Sequence, residues 1–168
     1  MELDLARALR VPGEPQAFDL VQFWQPLEFR GETIALSEPV RFRGAATFTG
    51  EGDLVLVKGD FHAQVERPCS RCLAPVRQDV DLQLEEAYSR QADPDGERFV
   101  YAGETLILDE MLQQNLLLRL PMRALCAEAC KGLCPRCGRP LNQGDCDCQA
   151  TQVPHPELLK WLQDNEEV

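Results

Sequence analysis

VRFRGAATFTGEGDLVLVKGDFHAQVERPCSRCLAPVRQDVDLQLEE, residues 40–86, carries the clearest structural signal in the chain. Val40, Phe42, Ala46 and Phe48 alternate with Arg41, Arg43 and Thr47, the two-residue period of a strand with one buried face. Thr49-Gly50-Glu51-Gly52-Asp53 is turn chemistry. Residues 54–67 read as a long strand, with Val55, Val57, Phe61, Ala63 and Val65 in one phase and Gly59 as the expected site of a bulge. Pro68 and the Cys69-Ser70-Arg71-Cys72 run break the pattern. Alternation resumes over residues 76–86, with Val76, Val80, Leu82 and Leu84 inward and Arg77, Asp79, Asp81 and Glu85 outward. The simplest arrangement is a three-stranded antiparallel meander with the Cys pair at a hairpin tip, both sulfurs beyond the sheet.

Downstream, residues 105–108 read as a short strand. Asp109 is the expected cap of a helix running to Arg119, with Leu108, Met111, Leu112 and Leu116 at helical spacing and Leu117, Leu118 and Leu120 widening the apolar face. Pro121 stops it. Upstream, Leu3, Leu5 and Leu9 fit a short helix or strand, residues 17–24 a strand, and residues 27–36 either type. Residues 89–98 read as a solvated loop, and Pro156 opens a last short helix bearing Leu158, Leu159, Trp161 and Leu162. The fold class expected is α+β: an antiparallel sheet with a packed helix over residues 1–125, then a Cys-rich metal-binding segment and terminal helix over residues 126–168.

That last segment holds CAEACKGLCPRCGRPLNQGDCDC, residues 126–148, with six of the eight cysteines. The chain of 168 residues is long enough to build a core without disulfides. It opens on no apolar leader and has no run long enough to span a bilayer. A cytoplasmic location, where thiols stay reduced, is therefore expected, and metal explains the cysteines better than bridges do. Two tetrahedral sites use all eight thiols. Cys69, Cys72, Cys126 and Cys130 form one, stapling the hairpin tip to the segment after the helix. Cys134, Cys137, Cys146 and Cys148 form the other, a local C-x-x-C and C-x-C pair. The competing partition joins Cys69 and Cys72 to Cys134 and Cys137. Zinc, two ions, is the expected cofactor. Cys130, Cys134 and Cys137 also have the spacing of the iron–sulfur motif of radical enzymes, but near the end of a small β-rich chain instead of early in a β/α barrel. His155 is a lesser ligand candidate, and His62 is expected on the exposed face of its strand.

Net charge is −11, which argues against a protein that coats nucleic acid. The charge is uneven: residues 79–110 hold ten acids against two arginines, whereas residues 116–143 hold five cations against Glu128. A second basic group, Arg67, Arg71 and Arg77, surrounds the first Cys pair. Arginines inside the Cys turns, Arg71 and Arg136, offset thiolate charge. Arg119, Arg123 and Arg139 are the candidates for contact with RNA or a partner. No nucleophile elbow, phosphate-cradling glycine loop or H-E-x-x-H is present. A closed site of four thiolates has no open position for water, so a binding or assembly module is expected, not an enzyme. The rivals are a zinc-ribbon nucleic-acid-binding regulator and a thiol or iron–sulfur redox protein. For the redox protein, the βαβ frame of a reactive C-x-x-C is missing.

CSRCL at 69–73, LRLP at 118–121, CKGLCPRCGRPLN at 130–142 and CDC at 146–148 together resemble the YceD family, the large ribosomal RNA subunit accumulation proteins. The resemblance covers about residues 40–165. It implies a non-enzymatic role in accumulation or processing of 23S ribosomal RNA and in large-subunit assembly, with no catalytic residues. The implied partners are ribosomal RNA, assembly intermediates or a basic ribosomal protein.

Overall fold

The computed structural model describes residues 1–91 and 98–148. The terminal helix expected after Pro156, and His155 with it, lie outside the described residues. The elements are β1 (Glu2–Asp4), α1 (Ala6–Arg10), β2 (Gln16–Gln22), β3 (Leu27–Phe29), β4 (Glu32–Leu36), β5 (Val40–Phe48), β6 (Val55–Pro68), β7 (Pro75–Ser89), β8 (Phe99–Val100), β9 (Thr105–Ile107) and α2 (Asp109–Arg119). A 3-10 turn follows at Leu141–Gln143. The fold is α+β.

The sheet is built around β6. It pairs antiparallel with β7 along its whole length, from Val55↔Tyr88 to Pro68↔Pro75. Its other edge is shared: β5 takes Val55 to His62, and β4 takes Val65 and Glu66. The order β2-β5-β6-β4-β3 is thus a consequence of one strand being long enough to hold two neighbours in succession. A short parallel pairing attaches β8 to β7, and β1 pairs with β9 in a separate two-stranded ribbon. The meander expected from residues 40–86 is present as β5-β6-β7. The ambiguous stretch 27–36 is a hairpin, turned by Arg30 and Gly31 at φ +53° and +79°.

Alternation decides the core. Val55, Val57, Phe61, Ala63 and Val65 are all buried in one phase of β6. Phe42 of β5 packs between Phe18, at 5.0 Å between ring centroids, and Phe61 at 6.4 Å. Against this face lie Leu3 and Leu5, Leu106 and Leu108, and Met111, Leu112 and Leu116 of α2, all in the same apolar cluster. Burying a side chain of this size is worth about 1.5–3 kcal/mol, so α2 is held by packing.

Three expectations are corrected here. Gly59 makes no bulge: the β5–β6 register runs unbroken through Gly44↔Gly59. A Cβ at Gly59 would lie 2.4 Å from the Arg43 carbonyl oxygen and 2.9 Å from the Phe42 ring. The glycine is there because the neighbouring strand and ring come too close for any side chain. Asp109 does not cap α2. Leu108 holds the cap position without a side-chain bond, and the Asp109 carboxylate instead accepts from Trp24 Nε1 at 2.7 Å and pairs with the Met1 amino group. Leu118 does not widen the apolar face, since it is 82% exposed. A helix turn of 3.6 residues carries it away from the side defined by Leu112 and Leu116.

Candidate metal centres

The β6–β7 hairpin ends in a six-residue tip after the Pro68↔Pro75 pair. Within it, Cys69 N–H donates to the Ala74 carbonyl at 2.8 Å and Leu73 N–H to the Cys69 carbonyl at 2.9 Å. Leu73 takes φ +61° to close the turn. This tight loop directs both sulfurs off the end of the sheet. The segment leaving α2 meets them: Ser70 N–H donates to the Ala124 carbonyl at 2.8 Å, and Cys126 N–H reaches Cys69 Sγ at 3.5 Å.

The result is a cluster of Cys69, Cys72, Cys126 and Cys130, its four sulfurs all within 4.8 Å of one another. Cys69 lies 3.9 Å from Cys130, and Cys72 lies 3.5 Å from Cys126. These are free thiols. The separations bracket the edge of about 3.8 Å expected for a tetrahedron of sulfurs each about 2.3 Å from a central ion. Only Cys126 of the four is exposed. Ala74, Val76, Leu125 and Leu133 pack around the cluster, apart from the main core.

Cys134, Cys137, Cys146 and Cys148 form a second group with sulfurs within 4.8 Å. A short hairpin frames it. Cys134 N–H donates to the Arg139 carbonyl and Gly138 N–H to the Cys134 carbonyl, both at 2.9 Å. Gly138 takes φ +72° to complete the turn, a conformation that a glycine adopts without a Cβ penalty. The sulfurs group as four and four in this partition, and the pairing of Cys69 and Cys72 with Cys134 and Cys137 is not the one formed.

The electrostatics of both groups suit a cation. The backbone amides of Arg71, Cys126 and Cys72 point at Cys69 and hold its thiol down at about 6. Those of Cys137 and Arg136 do the same for Cys134, also at about 6. Once one sulfur is ionised, its neighbours are held protonated. Cys130 and Cys72 push Cys126 up to about 12, and Cys137 does so for Cys148, also to about 12. Four thiolates at this spacing need a compensating positive charge at their centre, and each donor set fits a soft ion that prefers sulfur. Both clusters could hold a metal ion.

The arginines fall into two classes. Arg67 is buried and donates to the Pro121 carbonyl. Arg71 donates to the carbonyls of Cys130 at 2.9 Å and Glu128 at 3.2 Å, and Arg77 pairs with Glu66 at 2.7 Å. The basic group around the first Cys pair is therefore internal cross-linking, with Arg71 tying the hairpin tip to the segment opposite. Arg119, Arg123 and Arg139 are exposed. The acidic run is also partly compensated in space, since Lys58 pairs with Glu85 at 2.7 Å; His62 Nδ1 lies 2.8 Å from Asp81 Oδ1. Cross-strand pairing brings both of these β6 side chains opposite acids on β7. A charge tally along the sequence does not see them.

One residue escaped the sequence reading. Asn142, in the turn between Cys137 and Cys146, donates through Nδ2 to Cys130 Sγ at 3.1 Å. Asn is itself a turn residue, but nothing in the spacing says that it reaches the other cluster.

Among the described residues, no helix is long and apolar enough to cross a membrane. No solved structure matches the chain. Uncharacterized proteins of Mycobacterium bovis and of two strains of Mycobacterium tuberculosis are each 32% identical over 148 residues, which span 84% of this chain and 70% of theirs. A family model described as large ribosomal RNA subunit accumulation protein YceD matches residues 57–163, a stretch that holds both Cys clusters. The chain belongs to the YceD family.

Proposed function

We propose that the protein is a zinc-stabilised, non-enzymatic factor in the accumulation or processing of 23S ribosomal RNA and in assembly of the large ribosomal subunit. The observation that carries the metal part is the meeting of Cys69 and Cys72 with Cys126 and Cys130 across the fold. Zinc would be held there by those four thiolates and in the second site by Cys134, Cys137, Cys146 and Cys148. Bound zinc supplies a fixed positive centre that neutralises thiolates and couples ion binding to folding. With four protein donors, neither site keeps a position for a reacting water. The chain divides in this reading into a β-rich body, residues 1–125, and a zinc segment, residues 126–168, acting in the cytoplasm.

Contact with RNA falls to Arg119, Arg123 and Arg139. All three are exposed, and neither an acidic side chain nor a carbonyl engages them among the described residues. They are thus available to phosphate in a way that Arg67, Arg71 and Arg77 are not. The family's role in ribosomal RNA accumulation supports RNA as the partner. The two halves of the reading have separate tests. Protein purified without added metal should contain two zinc ions, and Cys69→Ser and Cys134→Ser should each lose one. Binding to 23S fragments should weaken steeply with salt, and the triple Arg→Ala variant should flatten the salt slope by about two to three. Unchanged RNA affinity in that variant sinks the RNA contact and leaves a protein partner in its place.

A further inference from the structure

We propose that Asn142 couples the two Cys clusters, so that an ion in one strengthens binding in the other; the proposal rests on both clusters holding zinc. By sequence, Asn142 belongs to the second cluster, since it lies between Cys137 and Cys146. In space it serves the first. Its Nδ2 donates to Cys130 Sγ at 3.1 Å and lies 3.7 Å from Cys126 Sγ. Its Oδ1 accepts from Lys131 N–H at 2.8 Å. An amide whose oxygen is occupied by a backbone donor can only turn its NH2 the other way, so the Lys131 bond orients the donor onto the sulfurs.

The backbone that carries Asn142 is the frame of the second cluster. Leu141 N–H donates to the Gly132 carbonyl at 2.9 Å, and Gln143 N–H to the Pro140 carbonyl at 3.2 Å. Leu133 and Pro140 form an isolated bridge between the arms of the turn bearing Cys134 and Cys137. A 3-10 turn of three residues has too few bonds to hold its own shape. An ion gripping Cys134, Cys137, Cys146 and Cys148 pins the chain on both sides of Asn142 and holds the amide where the first cluster needs it. An N–H donor that spreads thiolate charge is the kind of outer partner whose loss weakens metal affinity about 10–100-fold. Coupling of binding free energies is reciprocal, so filling the first cluster favours the second by the same factor.

The test is zinc affinity by chelator competition on the full chain. Cys146→Ser disables the second site, Cys72→Ser the first, and Asn142→Ala and Asn142→Asp each remove the amide donor while leaving all eight cysteines. Asn142→Asp also keeps the acceptor for Lys131. The expected results are two zincs in both Asn142 variants, with affinity at the first site lowered about 10–100-fold. Cys146→Ser should weaken the first site by a similar factor, and Cys72→Ser should weaken the second. Combined with Asn142→Ala, Cys146→Ser should add little, as a shared pathway requires. If the wild type holds two zincs but Cys146→Ser leaves the first site unchanged, the sites are independent and the proposal is overturned. If the effect of Cys146→Ser persists in full beside Asn142→Ala, coupling does not run through Asn142. A wild type that binds no metal overturns the zinc reading itself, a different result from either.

Discussion

If the first cluster holds an ion as proposed, stripping it should destabilise the whole fold, and the size follows from where its cysteines lie. An ion held by Cys69, Cys72, Cys126 and Cys130 closes a loop whose inner ends, Cys72 and Cys126, are 54 residues apart. A cross-link of that span removes unfolded-chain entropy worth about 4 kcal/mol. That is an upper figure, because thiolates of the unfolded chain also bind zinc. It is still a large part of the roughly 5–15 kcal/mol that holds a domain folded. At about 2–4 °C per kcal/mol for this size, Tm should fall by about 8–16 °C. The second cluster closes only the short stretch from Cys137 to Cys146, for which the same relation gives about 2.5 kcal/mol. None of its four cysteines comes from the sheet, so its loss should act on residues 131–148 directly and on the rest of the fold only through the weaker hold of the first cluster on its ion. Thermal melts of wild type, Cys69→Ser and Cys148→Ser, each with and without a strong chelator, separate the effects. Replacing the buried Cys69 sulfur by a hydroxyl carries its own cost of about 1–3 kcal/mol, whereas chelation of the wild type removes the ion alone. The staple argument is refuted if chelation lowers the wild-type Tm by less than about 2 °C, or if the two serine variants lose stability equally.

Other outcomes follow from particular contacts. Gly59→Ala should cost about 1–3 kcal/mol in urea denaturation, because its Cβ would press on the Arg43 carbonyl and the Phe42 ring. Leu116→Ala should cost about 2–5 kcal/mol and Leu118→Ala less than about 0.5, since the first is fully buried and the second projects into solvent; equal losses would mean that α2 is turned differently. Gly132→Ala should destabilise the first cluster by about 1–2 kcal/mol, because Gly132 takes φ +79° with its missing Cβ position 3.2 Å from the Arg71 carbonyl oxygen. Zinc binding at pH 7 should release protons, because Cys126 and Cys148 are held protonated by neighbouring sulfurs in the metal-free protein. Titration calorimetry in buffers of different ionisation enthalpy reads that release, and affinity should rise with pH. In the metal-free protein Cys69 and Cys134 are shifted the opposite way: their thiols are depressed from about 9 to about 6, so each favours folding fully above pH 9 and loses that contribution as pH falls towards 6.

The sequence by itself determined the strands of the meander, the helix after them and the hairpin tip at Cys69. These are local: a two-residue period needs one buried face, and Pro68 with the Cys69–Cys72 run breaks that period whatever packs against it. It also carried the preferred division of the cysteines, because C-x-x-C and C-x-C pairs have short reach and the distant pair had to find partners. The tertiary structure alone decided the rest. Whether Gly59 is a bulge or a close approach depends on the ring of Phe42 in the next strand. Whether Leu118 is core or surface depends on the angle at which α2 meets the sheet, since three apolar residues in a row cannot all face one way. Arg67 and Arg71 read only as a basic group around the first Cys pair until the Pro121, Glu128 and Cys130 carbonyls come within reach. Asn142 became part of the first cluster only when the turn carrying it folded back on Gly132. Side-chain identity and spacing report what a residue can bond; only the packing of distant segments says which partner is within about 3 Å.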